Sequence, residues 1–198
     1  MSRKQQWLTA LMILVIIVMG SGCTANHTTS TRQASSTSSA KVAASTSRKA
    51  KAKAAVIDWT KPSETKAYPT ITTQNPITLT VSLAKQRVYI TQHDQLVYTM
   101  YCSTGMHDST PHGTFHIIDR GAHFYNPHER MGAKYWTSFK DTTYLFHTVP
   151  TDEAGHYIRK EAQYLGKKPS SHGCVRLSIP DAHWINQHVP NGTTVIIK

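Results

Sequence analysis

A thiol, an imidazole and a guanidinium lie together in one short stretch of the chain, Ser170-Ser171-His172-Gly173-Cys174-Val175-Arg176-Leu177. A glycine directly before the cysteine permits a sharp turn and lets a substrate carbonyl approach the backbone closely. The thiolate is the nucleophilic form of cysteine, and a nearby His⁺ or Arg lowers the thiol pKa and favours that form. A single cysteine is more commonly a buried structural residue. The neighbouring residues are polar, and a glycine destabilises a strand. Both features favour a catalytic role for Cys174.

The stretch Ser171-His172-Gly173-Cys174-Val175-Arg176 resembles the signature of the L,D-transpeptidase (YkuD-type) catalytic domain. That family cross-links or trims bacterial peptidoglycan with a cysteine nucleophile. Ser103-Thr104-Gly105 and Thr110-Pro111-His112-Gly113-Thr114-Phe115 also resemble family segments that shape the sheet under the active site. On physical grounds alone, ordinary turn chemistry is the better explanation of both segments. The resemblance covers roughly residues 76–198 and implies a wall-modifying enzyme that needs no metal or organic cofactor.

Alternating apolar and polar residues predict a mainly β domain. The segment 77–83 alternates strictly, and polar turns at 84–86 and 93–95 lead into further strands at 87–91 and 96–103. Short strands with tight turns indicate an antiparallel β-sandwich or barrel-like fold, and the family resemblance implies the same. A strand at 143–146 ends at His147, and another is predicted at 193–198.

One or two short helices complete the expected fold. Ser178 stands three residues before Asp181, with Pro180 in the first turn, which predicts a helix ending near residue 188. Residues 121–140 are interpreted as a loop or lid beside the site. The aromatic side chains of that segment either stack on a peptide stem or sugar, or pack in the core. The large side chains concerned are Tyr125, Met131, Tyr135, Trp136 and Phe139.

The general base is assigned to His147 rather than to the nearer His172. Residues two apart in a strand have Cβ atoms ~7 Å apart, which is long for a direct hydrogen bond. A catalytic histidine is usually distant from its cysteine along the chain. His147 resembles the upstream histidine of the family, whose ring is oriented by the following backbone carbonyl, here that of Thr148. An insertion containing residues 152–155 and 160–163 accounts for a wider spacing to Ser171 than the family usually shows.

The remaining site residues follow from these assignments. Backbone N–H groups around Gly173 and Cys174 are expected to hold the oxyanion, and Ser171 is grouped with the oxyanion and substrate-binding residues. His172 supports the site geometry. Arg176 either positions a substrate carboxylate or stiffens the loop by hydrogen bonds. A supporting role without direct participation fits His172 and Arg176 equally well.

Metal binding and disulfide formation are not predicted. Histidines 107, 112, 116, 123 and 128 cluster along the chain, but they lack the spacing of known zinc sites. The three cysteines are too few for a disulfide scaffold. A bridge between Cys102 and Cys174 would block the proposed nucleophile.

The first 23 residues have the layout of a signal peptide with a lipobox-like end. Arg3 and Lys4 precede an apolar run, and small residues lead to Cys23, the predicted lipidation site. Gly20 departs from the usual lipobox aliphatic, so ordinary secretory cleavage stays open as an alternative. An uncleaved membrane anchor is disfavoured because a spanning helix needs ~20 apolar residues. The protein is therefore expected at the outer face of the membrane or in the cell wall.

Residues 24–75 are predicted to be a disordered, basic linker rich in Ser, Thr, Ala and Lys. Its last part, 56–75, is a transition that can pack along the domain. The net charge is +11, with +6 in residues 24–75 and +3 in residues 76–198. A basic arm suits an anionic cell-wall polymer or an acidic membrane surface. The export signal argues against nucleic acid.

The resemblance implies acyl transfer on peptidoglycan stem peptides, with Cys174 as nucleophile and His147 as acid and base. A transpeptidase forms a 3→3 cross-link through a thioester on a tetrapeptide stem. An L,D-carboxypeptidase resolves the same thioester with water, and the sequence does not separate the two. Two further functions are weighed against these: a sortase-like transpeptidase, which the local Ser-His-Gly-Cys does not suit, and an inactive wall-binding lipoprotein.

Overall fold

The computed structural model describes residues 57–198, which form a nine-stranded mixed sheet with two helices. The strands lie in the spatial order β4-β9-β1-β2-β3-β8-β7-β6-β5. The elements are β1 (Ile77–Ser82), β2 (Arg87–Gln92), β3 (Gln95–Ser103), β4 (Gly113–His116), β5 (Asp119–Asn126), β6 (Met131–Lys140), β7 (Tyr144–Thr148), α1 (Arg159–Ala162), β8 (Val175–Leu177), α2 (Ile179–His188) and β9 (Thr194–Ile197).

The predicted mainly β class is confirmed, and the strands that alternate in sequence form where they were expected. In β1, Ile77, Leu79 and Val81 are buried and the residues between them are half-buried. The predicted helix is confirmed as α2, where the Ser178 hydroxyl accepts a hydrogen bond from the Asp181 backbone N–H at 3.2 Å. Apolar residues of the strands pack with Trp184 and Ile185 of α2 in the main core.

Two strand pairs depart from the expected antiparallel arrangement, since β1–β9 and β7–β8 are parallel. A parallel pair needs a long crossover connection, whereas an antiparallel pair can be joined by a tight turn. Residues 149–174 connect β7 to β8 and contain α1. This connection is long enough for a parallel crossover, and it contains residues 152–155 and 160–163 of the predicted insertion.

The predicted loop or lid at 121–140 is wrong in its secondary structure. These residues belong to the antiparallel pair β5–β6, joined by a turn at 127–130, with Tyr125 opposite Gly132. The strand was missed because β5 carries no strict alternation of buried and exposed side chains. Tyr135 also has a φ of +55° inside β6, which interrupts the regular pleat.

Residues 57–75, most of the transition segment, pack against the domain. The Ser63 and Tyr68 hydroxyls donate to the fully buried Asp181 carboxylate at 2.5 and 2.8 Å. Glu64 accepts from the Thr99 backbone N–H at 2.8 Å. The transition segment is thus held by a buried carboxylate of α2 and by the backbone of β3.

The signal peptide, Cys23 and linker residues 24–56 lie outside the described residues. Within residues 57–198, neither helix has the length and apolar character needed to cross a membrane.

Candidate active site

A cavity of about 300 Å³ lies where the β5–β6 hairpin faces the turn before β8. Cys174, His147, Arg176, Ser171, His172 and Gly173 all line it. The hairpin contributes Phe124, Glu129 and Met131. The structure therefore brings the predicted nucleophile, the predicted base and the residues of the 171–176 stretch around a single cavity.

The parallel pairing of β7 with β8 brings Cys174 and His147 to this cavity. Phe146 lies opposite Val175, and His147 lies opposite Arg176. Cys174 directly precedes β8, and continuing this register places it opposite Leu145, two residues before His147 and on the same face of the sheet. Two residues far apart in sequence are thus held on one framework of backbone hydrogen bonds.

The His147 ring is held by the backbone carbonyl of Thr148. Its Nδ1 lies 2.6 Å from the Thr148 oxygen, and the whole residue is only 5 % exposed. Because a carbonyl oxygen can only accept, Nδ1 carries the proton and Nε2 is left as an acceptor. Phe124 packs edge-on against the ring, with centroids 5.5 Å apart.

Burial keeps His147 neutral. Desolvation and the charge of Arg176 lower its pKa to about 4, although the hydrogen bond to Thr148 acts in the opposite direction. A neutral imidazole with a free Nε2 is the form that can accept a proton from a thiol.

Cys174 is half-buried, and its Sγ donates to the backbone oxygen of Thr143 at 3.5 Å. Burial raises the pKa of the Cys174 thiol, while the Leu145 backbone and the Arg176 charge act in the opposite direction. The sequence interpretation expected neighbouring positive charge to lower this pKa. Desolvation outweighs that effect because the thiol sits in the wall of the cavity. The resting site therefore holds a neutral thiol and a neutral imidazole.

The turn that carries Cys174 is closed by Ser171. The Ser171 hydroxyl donates to the Cys174 carbonyl at 2.5 Å and accepts from the Gly173 N–H at 3.1 Å. Gly173 has a φ of +140°, and a Cβ there would lie 2.8 Å from the Tyr144 ring. Glycine is thus required for both conformation and space. Since the Gly173 N–H already donates to Ser171, we expect the Cys174 N–H to be the donor to an oxyanion.

Segments 103–105 and 110–115, which also resemble the family, form hydrogen bonds to this turn. Thr110 donates its hydroxyl to the Gly173 carbonyl at 2.8 Å and accepts from the Gly105 N–H at 2.8 Å. The backbone N–H of Ser171 donates to the Thr104 carbonyl at 3.0 Å. Their turn chemistry therefore serves a specific purpose, because it fixes the loop beneath Cys174.

Arg176 is almost completely buried and forms an ion pair with Glu161. One guanidinium nitrogen, Nη1, lies 2.9 Å from Glu161 Oε2 and 3.2 Å from the Ser170 hydroxyl. Glu161 belongs to α1, within the connection between β7 and β8. Of the two predicted roles for Arg176, stiffening by hydrogen bonds is present in the structure.

His172 points to the rim of the cavity, where its Nδ1 lies 3.0 Å from Glu129 Oε2. The side chains of His172 and Glu129 are 53 % and 33 % exposed. Glu129 lies in the β5–β6 turn, so this contact joins the hairpin to the turn that carries Cys174. The role of His172 in supporting the site geometry stays a prediction.

Known proteins resemble this chain in sequence and in fold. Residues 76–197 match the family described as YkuD, the L,D-transpeptidase catalytic domain. The chain belongs to this family. A Bacillus subtilis (strain 168) protein named "Putative L,D-transpeptidase YciB" is 40 % identical over 154 residues, which cover 75 % of this chain and 78 % of that protein.

Solved L,D-transpeptidases share the fold at low sequence identity. LD transpeptidase LdtMt1 in complex with imipenem superposes with a TM-score of 0.53 at 18 % identity. An L,D-transpeptidase from Mycobacterium smegmatis gives a TM-score of 0.53 at 16 % identity. In both cases the match covers 63 % of this chain and 59 % of the solved one.

Sequence reasoning missed several residues that line the cavity of this L,D-transpeptidase domain or support its wall, among them Phe124, Glu129 and Glu161. Phe124, Glu129 and Glu161 come from the hairpin and the long connection, where no periodic pattern or motif marks them. Of the large side chains expected to line a lid, Met131 lines the cavity, whereas Phe139 is buried in the core. Tyr135 packs against His183 and Trp136 covers Gly121.

The described residues contain no cluster of three or more side chains that could hold a metal ion. His112 instead contacts Asp108 at 2.8 Å. Cys102 and Cys174 are both free thiols, and Cys102 is fully buried in the core.

The pH dependence of alkylation tests the protonation state of Cys174. Iodoacetamide reacts with the thiolate, and burial raises the thiol pKa. We therefore expect the labelling rate of the Cys174 peptide to keep rising with pH through and above about 8.5, the value of a free thiol. Peptide mass spectrometry measures this rate, and Cys174→Ala is the blank. A rate that is already constant below neutral pH would contradict the assignment.

Proposed function

We propose that this protein is a peptidoglycan L,D-transpeptidase that forms 3→3 cross-links, or attaches other acceptors, through a cysteine acyl-enzyme on tetrapeptide stems. The observation that carries the proposal is the neutral His147, oriented by Thr148, in the same cavity as the Cys174 thiol. Membership of the L,D-transpeptidase family supports the same reaction class.

Acylation begins when the Cys174 sulfur attacks the carbonyl carbon of the peptide bond before the terminal D-Ala. The thiol proton passes to Nε2 of His147 as the S–C bond forms. This transfer allows a thiol of raised pKa to react, since no free thiolate has to exist beforehand. The Cys174 N–H stabilises the oxyanion. His147 then returns the proton to the leaving amine as the C–N bond breaks and D-Ala departs.

Deacylation uses the same two residues in reverse. The side-chain amine of a diamino acid in a second stem attacks the thioester carbonyl, and His147 takes a proton from the amine. The C–S bond breaks, the proton returns to the sulfur, and a new amide joins the two stems. If water attacks instead, the product is a tripeptide and the protein is an L,D-carboxypeptidase.

The other residues position the Cys174 sulfur and the His147 ring. Ser171 and Gly173 shape the turn that presents the sulfur, and Thr148 fixes the imidazole tautomer. Arg176 links that turn to α1 through Glu161. His172 joins the turn to the hairpin through Glu129.

We also infer that the protein is exported and held at the outer face of the membrane through a lipidated Cys23, with its basic arm against an anionic wall polymer or the membrane surface. The charged start, apolar run and small residues before Cys23 support this location. The mass of the mature N-terminus tests it: a lipid adduct on Cys23 is expected, and an unmodified N-terminus elsewhere would refute it.

The test of the reaction is incubation of the protein with purified disaccharide-tetrapeptide, followed by mass spectrometry. We expect loss of D-Ala together with a cross-linked dimer. Cys174→Ala should abolish both products because the thioester cannot form. His147→Ala should slow D-Ala release by about 10²–10⁴-fold, the usual contribution of a general base.

The products distinguish the candidate functions. D-Ala release with tripeptide alone would make the protein a carboxypeptidase. Equal behaviour of the wild type and Cys174→Ala would exclude catalysis on this substrate and favour a wall-binding lipoprotein. His183→Ala is a matched control, because His183 of α2 packs against Tyr135 of β6 and does not line the cavity.

A further inference from the structure

A second cleft of about 240 Å³ adjoins the catalytic cavity. We call it the side cleft. Met131, His172 and Arg176 line both spaces. Glu161, Tyr164 and Lys168 line the side cleft alone. Cys174 does not line it, so a group bound there is not the carbonyl that Cys174 attacks.

The wall of the side cleft is anchored to the sheet. The Gly166 N–H donates to the Cys102 carbonyl at 2.8 Å, and the Ser103 hydroxyl donates to the Tyr164 carbonyl at 2.9 Å. Arg87 donates to the Gly166 carbonyl at 2.9 Å. The segment 164–168 is therefore held by β2 and β3 in a defined position beside the cavity.

The charges of the side cleft favour an anion. Arg176 and Lys168 are cationic, and Glu161 offsets one of these charges, which leaves an excess of one positive charge. The Lys168 ammonium lies 4.1 Å from the centre of the Tyr164 ring, and no carboxylate of the described residues lies within ion-pair distance of it. This ammonium is thus placed at the cleft by a weak cation–π contact that a carboxylate ligand can replace.

Arg176 is the second cation in the wall of the side cleft. The residue is 5 % exposed, and its buried Nε has no hydrogen-bond partner within residues 57–198. A buried guanidinium N–H without an acceptor is costly, and such groups usually find a partner. Arg176 lines both spaces, so its positive charge attracts an oxygen anion in the side cleft, whereas the Nε atom itself is closed to solvent.

We propose that the side cleft is a subsite for a carboxylate of a peptide stem whose reacting group lies in the Cys174 cavity, with Lys168 as the residue that selects the anion. The identity of the ligand rests on the proposed function. Two sources carry the same chemistry, namely the terminal carboxylate of the acyl donor and a carboxylate of the acyl acceptor.

Binding to the full-length Cys174→Ala protein tests the subsite without any turnover. Two ligands are compared: disaccharide-tetrapeptide with a terminal carboxylate, and the same molecule with its carboxylates amidated. Calorimetry measures the Kd of each ligand. We expect the carboxylate form to bind about fivefold more tightly, as one partly exposed charge-assisted contact provides. Adding Lys168→Gln should remove the difference, and Lys168→Glu should reverse it.

Lys167→Glu is the matched control. Lys167 directly precedes Lys168 in the chain, is exposed and does not line the side cleft. This variant should keep the preference for the carboxylate. The proposal is overturned if Lys168→Glu shows the same ratio of Kd values for the two ligands as Lys167→Glu. It is also overturned if the Cys174→Ala protein binds the carboxylate and the amide with equal Kd.

Kinetics on the active protein then separate the two sources. A rise of about fivefold in the KM for D-Ala release in Lys168→Glu assigns the carboxylate to the donor. A rise confined to the acceptor KM for dimer formation assigns it to the acceptor, and no rise in either overturns the subsite. Carboxylate-selective binding without D-Ala release by the wild type would contradict the proposed function and leave the subsite standing.

Discussion

The parallel contact between β7 and β8 is the constraint on which the site depends. His147 at the end of β7 lies opposite Arg176 of β8, and Cys174 stands immediately before β8. This pairing requires the long connection that carries α1, and α1 in turn supplies Glu161 as the counter-ion of Arg176. One topological feature thus positions the nucleophile, the base and the buried ion pair behind them.

Burial decides how that site works. The same low-polarity surroundings lower the pKa of His147 and raise the pKa of the Cys174 thiol, so both residues are uncharged at neutral pH. An ion pair of thiolate and imidazolium would have to overcome the desolvation of two charges. The structure instead suits proton transfer during attack, for which the Thr148 carbonyl provides the correct imidazole tautomer.

Much of the framework could be predicted from sequence because local patterns encode it. The alternation in 77–83 specifies β1, and the Ser178 cap specifies the start of α2. The family signature placed Cys174 and His147 in one site. The parallel pairs, the β5–β6 hairpin and the roles of Glu129 and Glu161 could not be predicted, because each depends on contacts between distant segments without a periodic signal. Thr110 was predicted only in part. The sequence indicated its turn, but not the hydrogen bond that its hydroxyl donates to the Gly173 carbonyl.

The most direct test of this account is the protonation state of His147 in the resting protein, measured by ¹⁵N NMR of histidine-labelled chains, with His147→Gln to assign its signals among the 12 histidines. The account predicts a neutral ring with the proton on Nδ1 at neutral pH and a protonation midpoint near pH 4. An imidazolium at neutral pH, or a neutral ring with the proton on Nε2, would contradict it, because Nε2 could then not accept the Cys174 proton.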